Sequence, residues 1–152
     1  MDIEQQYDKV YRYCYFKVQD KFLAEDITQE AFLRFFNSDY KVRGKELAYL
    51  YTIARNLCID EYRRIKPVYL SETDEGVEQT FEDKAILHTE LKQALDRLDE
   101  EDRELMLLRY VNEENVSDIG KLFKLSRFAV YRRLQKILTE LRAYLEGSDE
   151  NG

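Results

Sequence analysis

Arginine, lysine, glutamine and aromatic side chains recur at helical spacing near the C-terminus of this sequence. Arginine and glutamine can form bidentate hydrogen bonds with purine edges, and basic side chains displace counterions from phosphates. The residues in question are Phe128, Tyr131, Arg132, Gln135 and Lys136. Their types and spacing predict a surface that reads duplex DNA.

Two predicted helices joined by a tight turn would position these side chains. Ser117 is suited to cap a short first helix, and the chain then turns through Lys124 and Leu125. Ser126 can cap the second helix. The apolar residues of that second helix follow the spacing of one buried stripe: Val130, Leu134, Ile137, Leu141 and Leu145. The pattern predicts a helix-turn-helix whose second helix enters the major groove.

Charge sets this segment apart from the rest of the chain. Residues 117–145 contain seven Lys or Arg against two Asp or Glu, whereas the whole chain has a net charge of -7. Amphipathic helix pairs with a merely solvated polar face occur in many bundles, and that alternative stays open. A basic face within an acidic protein favours contact with phosphates.

Composition limits the fold classes. The chain has 152 residues, 44% hydrophobic and 36% charged, with one Pro and five Gly and little strand-like alternation. We predict an all-α fold, in one medium domain or two small helical ones. No apolar run is long enough to cross a bilayer, and the start, MDIEQQYDKVY, lacks a signal-peptide pattern, so we expect a cytoplasmic protein.

No set of residues indicates a metal centre or enzymatic catalysis. Cys14 and Cys58 occur singly within helical patterns, and His88 is the one histidine, so no metal-ligand cluster is predicted. We expect both cysteines to be small core residues. No nucleophile and base occur at a recognisable spacing, and no glycine-rich phosphate loop is present. We therefore predict no cofactor and no enzymatic activity.

Three further helices are predicted in the N-terminal half, over about 3–22, 24–37 and 47–64. The predicted packing face of the first contains Ile3, Tyr7, Val10, Tyr11, Cys14, Tyr15 and Val18. That of the second contains Ile27, Ala31, Phe32, Leu33 and Phe35. That of the third contains Leu47, Leu50, Ala54, Leu57 and Cys58.

The polar faces of the second and third helices are candidate binding surfaces. On the second helix, Asp26, Gln29 and Glu30 lie outside with Arg34 and are suited to a basic partner, although solubility alone would explain them. The third helix and the polar loop 38–46 carry cations and an aromatic, which can track phosphates and stack on unpaired bases. Its candidates are Tyr49, Arg55, Asn56, Arg63 and Arg64. Arginines at a helix end are also favoured by the helix dipole, so a structural role is the alternative.

Two segments resemble region 2 of the sigma-70 family, in its small extracytoplasmic-function (ECF) class. EDITQEAFLRFF contains Asp26, Gln29 and Phe32 in an Asp-x-x-Gln-x-x-Phe pattern. ELAYLYTIARNLCIDEYRR contains an Ile-Ala-Arg-Asn-x-x-x-Asp-x-x-Arg-Arg pattern over 53–64. The C-terminal stretch is similar to region 4 of the same family, and the match covers nearly the whole chain. The resemblance implies an RNA polymerase sigma factor.

The resemblance also implies a role for each surface. Asp26, Gln29 and Glu30 would contact the clamp coiled coil of the polymerase β′ subunit. The loop 38–46 and the third-helix candidates would engage the minus-ten element and its displaced non-template strand. For the minus-thirty-five element, the resemblance selects Tyr131, Arg132, Gln135 and Lys136 as contacts. Arg127 and Phe128, at the start of the same helix, are predicted beside them. Contact with the β flap, and sequestration by an anti-sigma factor, are further family properties.

The sequence departs from the family pattern at four positions. Tyr49 stands where the family usually has Trp. Lys124, Phe128 and Ala129 replace the usual small residues of the turn and the start of the second helix. Lys124 would lie where glycine is often preferred.

Two domains and an acidic linker are predicted. The boundaries are 1–66 and 82–146 for the domains, 67–81 for the linker and 147–152 for a disordered tail. Residues 67–100 contain ten acidic residues against three basic ones. We predict that the linker is a solvated tether. The functional alternatives are that it threads the basic RNA-exit channel of the polymerase, as the resemblance implies, or shields the DNA-binding surfaces of the free factor. The helix beginning near Glu82 is followed by one that Asp99 should cap.

Two other classes of function remain open at this point. A helix-turn-helix repressor or activator would bind operator DNA directly as a dimer, and it predicts palindromic sites. A pure interaction module, such as an inactive sigma-like adaptor, would bind neither promoter element.

Overall fold

The computed structural model describes residues 2–38, 46–72 and 89–151. Every regular element in these ranges is helical, and none of their residues is in a strand. The chain divides into two compact units, Met1–Glu78 and Gln79–Gly152. The predicted all-α class is confirmed.

The N-terminal unit consists of three mutually packed helices: α1 (Ile3–Val18), α2 (Lys21–Asn37) and α3 (Glu46–Glu72). Aspartate side chains begin the first two. Asp2 Oδ1 accepts a hydrogen bond from the Gln5 N–H at 3.2 Å, and Asp20 Oδ1 accepts one from the Leu23 N–H at 3.0 Å. Each cap satisfies a backbone donor that has no partner within its helix.

The boundary between α1 and α2 differs from the prediction, which extended the first helix to Phe22. Gln19 adopts a left-handed conformation (φ 56°) and donates its backbone N–H to the Tyr15 carbonyl, which ends α1 at Val18. Asp20 then caps α2, which begins at Lys21, three residues before the predicted start at 24. The apolar period continues through this junction, so periodicity alone misses a break that capping chemistry produces.

The core of the N-terminal unit includes Tyr13, which the predicted packing face of the first helix omits. Tyr13 and Tyr51 are fully buried and meet edge to face, with ring centroids 5.5 Å apart. Because α1 packs on both α2 and α3, its buried arc is wide enough to include Tyr13. Two predicted core residues, Ile3 and Leu33, are instead 48% and 59% exposed. Leu33 is two residues from buried Ala31, about 200° around the helix, so the two cannot face the same core.

Cys14 and Cys58 are buried core residues, as predicted. A side-chain hydrogen bond with Cys58 lowers the pKa of the Cys14 thiol, and burial acts in the opposite direction.

The C-terminal unit consists of α4 (Thr89–Asp96), α5 (Glu100–Met106), a π-helical turn (Leu107–Val111), α6 (Val116–Phe123) and α7 (Arg127–Asn151). Asp99 caps α5 as predicted, because its Oδ1 accepts a 2.9 Å hydrogen bond from the Asp102 N–H. The predicted stripe of α7 lies in the core: Val130, Leu134, Ile137 and Leu141 are buried, and Leu145 is half-buried. The predicted helix start near Glu82 lies outside the described residues.

The structure shows helix at the ends of two segments that were predicted to lack regular structure. The prediction began the linker at residue 67, but α3 continues through Pro67 and ends at Glu72, the second residue of the acidic run SETDEGVEQT. The predicted disordered tail likewise continues α7 to Asn151. Extending a formed helix fixes one residue per added hydrogen bond, so a polar composition does not end it by itself. Residues 73–81 of the linker and 39–45 of the loop lie outside the described residues.

Candidate nucleic-acid interface

Side-chain caps mark the start of both helices of the helix-turn-helix. The predicted cap at Ser117 is wrong: Asn115 caps α6, and its Oδ1 accepts from the Asp118 N–H at 2.8 Å. Because Asn115 caps the helix two residues before Ser117, the helix begins at Val116 and Ser117 lies inside it. The predicted cap of α7 is confirmed, since Ser126 Oγ accepts from the Ala129 N–H at 3.1 Å.

Gly120 makes the turn possible, and the sequence reasoning missed it. Its carbonyl accepts the backbone N–H of Lys124 and, at 2.8 Å, that of Leu125. A Cβ on residue 120 would lie 2.6 Å from the Leu125 carbonyl oxygen, closer than any side chain tolerates. The one signal was a glycine within an apolar-periodic helix, which often marks a close backbone approach.

Lys124 ends α6 in the left-handed conformation, with φ 61° and ψ 44°. This is the position where a glycine was expected to be preferred, and a non-glycine residue there carries a steric cost.

The base-reading side chains predicted on α7 all lie on its exposed face. This recognition face consists of Arg127, Phe128, Tyr131, Arg132, Gln135 and Lys136. Phe128, Arg132, Gln135 and Lys136 lie opposite the buried stripe, whereas Arg127 and Tyr131 lie beside the stripe and are exposed near the start of the helix. Phe128 and Tyr131 are 74% and 51% exposed, so the face combines cations, an amide and aromatic rings.

Arg133 was counted among the basic residues of this segment but faces its own unit. Its Nη2 donates a 2.8 Å hydrogen bond to Glu101 Oε1 and lies 3.0 Å from Asp102 Oδ1. Asp102 Oδ1 is buried without a hydrogen-bond donor in the described part of the chain, so the second contact is one of charge. The ion pairs join α7 to the start of α5.

The two partners of this charge cluster have shifted pKa values. The hydrogen bond with Glu101 is the main cause that raises the pKa of Arg133. Burial is the main cause that raises the pKa of Asp102, the Asp99 carboxylate adds to it, and Arg133 acts in the opposite direction.

The outer face of α2 exposes the predicted polymerase contacts Asp26, Gln29 and Glu30. Glu30 Oε2 forms a 2.9 Å salt bridge with Arg34 on the next turn. Sequence reasoning missed the apolar part of this face, namely Phe22, Leu33 and Phe36. Steps of three and four residues connect these side chains with Asp26 and Gln29 into a single stripe, called here the α2 stripe.

The predicted minus-ten residues divide between one face and two flanks of α3. Tyr49, Asn56 and Arg63 follow one another at intervals of seven residues, so they share a face, with Arg55 and Arg64 to either side. The Tyr49 ring is half-buried, with its centroid 6.0 Å from that of Phe35. Arg64 Nη2 donates a 2.7 Å hydrogen bond to Glu61, which raises the pKa of Arg64.

Among the described residues, no three His, Cys, Asp or Glu side chains form a group that could hold a metal ion. In the same ranges no helix is both long and apolar enough to cross a membrane.

These features define a helical protein with a helix-turn-helix in its C-terminal unit. Comparison with known proteins specifies its class. Residues 3–67 match the family model for sigma-70 region 2, and residues 94–143 match that for sigma-70 region 4. The chain is 30% identical to the ECF RNA polymerase sigma factor SigW of Bacillus subtilis (strain 168), over 91% of this chain and 83% of that protein.

A further relative agrees with this match, and a solved structure has a similar fold. The ECF RNA polymerase sigma factor SigX of Bacillus subtilis (strain 168) is 26% identical, over 90% of this chain and 78% of that protein. The sigma factor RpoE of Bartonella quintana, solved in complex with the anti-sigma factor NepR, has the same fold, with a TM-score of 0.65 at 16% identity. That match covers 93% of this chain and 92% of the other. The chain therefore belongs to the ECF class of the sigma-70 family of RNA polymerase sigma factors.

Proposed function

We propose that this sigma factor directs core RNA polymerase to promoters through three surfaces, on α2, α3 and α7. The observation that carries the proposal is that regions 2 and 4 occur together in one chain, with every candidate contact side chain either exposed or half-buried on its helix. The predicted domains, 1–66 and 82–146, are the proposed bearers of the two regions. A member of this class acts in the cytoplasm, where core polymerase is found.

The α2 stripe is the proposed polymerase contact. Asp26, Gln29 and Glu30 offer hydrogen-bond acceptors to the β′ clamp helices. The exposed Phe22, Leu33 and Phe36 on either side of them supply apolar area. Since exposed apolar side chains in a row are uncommon on a surface that meets only water, their spacing supports a protein partner. The β flap is the proposed contact of the C-terminal unit.

The shared face of α3 is the proposed minus-ten surface. Asn56 and Arg63 are exposed there beside the half-buried Tyr49, and Arg55 and Arg64 lie on the two flanks. Cations beside an aromatic ring can hold the backbone of a melted strand while its bases stack. Capture of unpaired bases shifts the promoter toward its open form, so this protein needs no hydrolysis of its own.

The recognition face of α7 is the proposed minus-thirty-five reader. Arg127, Arg132 and Lys136 have no ion-pair partner within the described ranges, so their charges are available to phosphates and bases. Because the chain carries a net charge of -7, we expect weak DNA binding alone and specific binding in the holoenzyme. When both regions are bound to one polymerase, two individually weak promoter contacts together give a higher overall affinity.

An anti-sigma factor is a further proposed partner. Support comes from the related sigma factor RpoE, whose solved structure contains the anti-sigma factor NepR.

Co-purification with core RNA polymerase, followed by run-off transcription, tests the proposal. We expect a stable complex and transcripts from a defined class of promoters with two dissimilar elements. Tight sequence-specific binding by the isolated chain as a dimer, without transcription, would overturn it and favour a direct regulator.

A further inference from the structure

Phe128 is a large apolar side chain exposed within a ring of polar ones. It is 74% exposed and occupies the second position of α7, directly after the cap at Ser126 and Arg127. A single exposed apolar residue needs no explanation by itself. The surroundings of Phe128 do need an explanation. Arg127, Arg132 and Lys136 place positive charge around it, and an apolar protein surface would match such a patch poorly.

The helix geometry aligns Phe128 with the hydrogen-bonding residues. Arg132 and Gln135 follow it by four and then three residues, so the three side chains form one row along the centre of the recognition face. In a helix-turn-helix the first turns of the recognition helix point at base edges, whereas the surrounding residues reach the backbone. A residue in this row therefore faces bases.

A phenylalanine cannot donate or accept a hydrogen bond, so it can distinguish bases only by apolar contact. In the major groove the one apolar group of a standard base is the C5-methyl group of thymine. We infer that Phe128 is a specificity-determining residue that selects thymine in the upstream promoter element by packing against this methyl group. The inference rests on the proposed function, and it adds a base identity to the α7 surface.

The probe that isolates this contact is deoxyuridine, which lacks only the methyl group and pairs as thymine does. Duplexes bound by the holoenzyme are first enriched from a random library, and each thymine of the upstream element is then replaced singly by deoxyuridine. For the wild-type holoenzyme we expect an affinity loss of about fourfold at one or two positions, the factor that burial of one methyl group supplies. Other thymines should tolerate replacement.

The variant Phe128→Ala completes a double-mutant cycle. Its affinity should be lower on the thymine duplex and unchanged by deoxyuridine, because the partner of the methyl group is gone. Phe128→Leu should keep part of the discrimination. Thr139→Ala, on the same exposed face eleven residues further on, should retain the full wild-type response to deoxyuridine. Since Phe128 is exposed, its substitution should leave the far-ultraviolet circular dichroism spectrum and the unfolding midpoint unchanged.

The outcomes separate the two proposals. If no thymine replacement alters wild-type affinity, or if Phe128→Ala responds to deoxyuridine as the wild type does, the thymine contact is overturned while the sigma function stands. If Phe128→Ala fails to bind core polymerase, the residue belongs to a protein interface, which also overturns the contact. If the wild-type chain forms no holoenzyme, the proposed function and this inference fall together.

Discussion

Arg133 on α7 donates a 2.8 Å hydrogen bond to Glu101 at the start of α5, whereas its neighbour Arg132 faces away from the core. Two adjacent arginines of the same helix therefore serve different ends. Arg133 joins α7 to α5 of its own unit, and Arg132 is the one proposed to contact DNA.

Arg133→Met should destabilise the C-terminal unit by about 1 kcal/mol, because a partly exposed ion pair contributes modestly and Asp102 loses its counter-charge. Arg132→Met should leave stability unchanged but lower promoter affinity about tenfold. Urea denaturation measures the first effect, and holoenzyme binding to promoter duplex measures the second. Equal stability of the two variants would contradict the assignment of Arg133.

Gly120→Ala should destabilise the helix-turn-helix by about 1–3 kcal/mol, because the added methyl group lies against the Leu125 carbonyl. Gly147→Ala is the matched control on α7, where a Cβ would meet nothing within 4 Å. That control should be neutral or raise stability by about 0.5–1 kcal/mol, since alanine favours helix. Differential scanning calorimetry should give a lower unfolding midpoint for Gly120→Ala and an unchanged or higher one for Gly147→Ala.

Lys124→Gly should stabilise the chain by about 1 kcal/mol, because glycine adopts the left-handed conformation at φ 61° without steric cost. Lys121→Gly, within the helical part of α6, should instead destabilise by about 1 kcal/mol. Chemical denaturation distinguishes the two. A Lys124→Gly variant less stable than wild type would show that the lysine side chain supports the turn.

Asp102→Asn should change how stability depends on pH. Burial raises the pKa of Asp102 in the folded protein above the ordinary value of 3.8, so folding favours the protonated acid. The stabilisation from protonated Asp102 is fully present below pH 3.8, and it is lost as the pH rises through the pKa of Asp102 in the folded protein. Relative to Asp102→Asn, the wild type should therefore lose stability over that interval, as measured by denaturant unfolding at a series of pH values. A difference that stays constant, or grows in favour of the wild type, would contradict the shift.

Leu33→Ser should weaken binding to core polymerase about tenfold or more, because an exposed leucine of the α2 stripe would lose its burial in the interface. The unfolding free energy should not fall, since Leu33 is outside the core. Asp8→Ser, exposed on α1, serves as the control and should bind polymerase normally. Competition with a labelled wild-type chain for core polymerase provides the measurement, and unchanged affinity of Leu33→Ser would remove the apolar part of the stripe from the interface.

The sequence alone determined the helical class, the buried stripe of α7 and, through it, the direction of the recognition face. A period of 3.6 residues leaves one orientation that buries Val130, Leu134 and Ile137 together, and the remaining residues must then face outward. Local capping chemistry was likewise predictable at Asp99 and Ser126, because a short polar side chain satisfies donors within its own turn.

Tertiary structure decided what depends on neighbours distant in sequence. By sequence, Arg133 counts among the cations of the basic segment, but α5 brings Glu101 beside it. Tyr13 is outside the predicted packing face, but α3 brings Tyr51 against it in the core. The need for glycine at position 120 arises from the close approach of the Leu125 carbonyl, a distance that no spacing of residue types specifies. Periodicity describes one helix at a time, whereas burial, ion pairing and close backbone contact are properties of pairs.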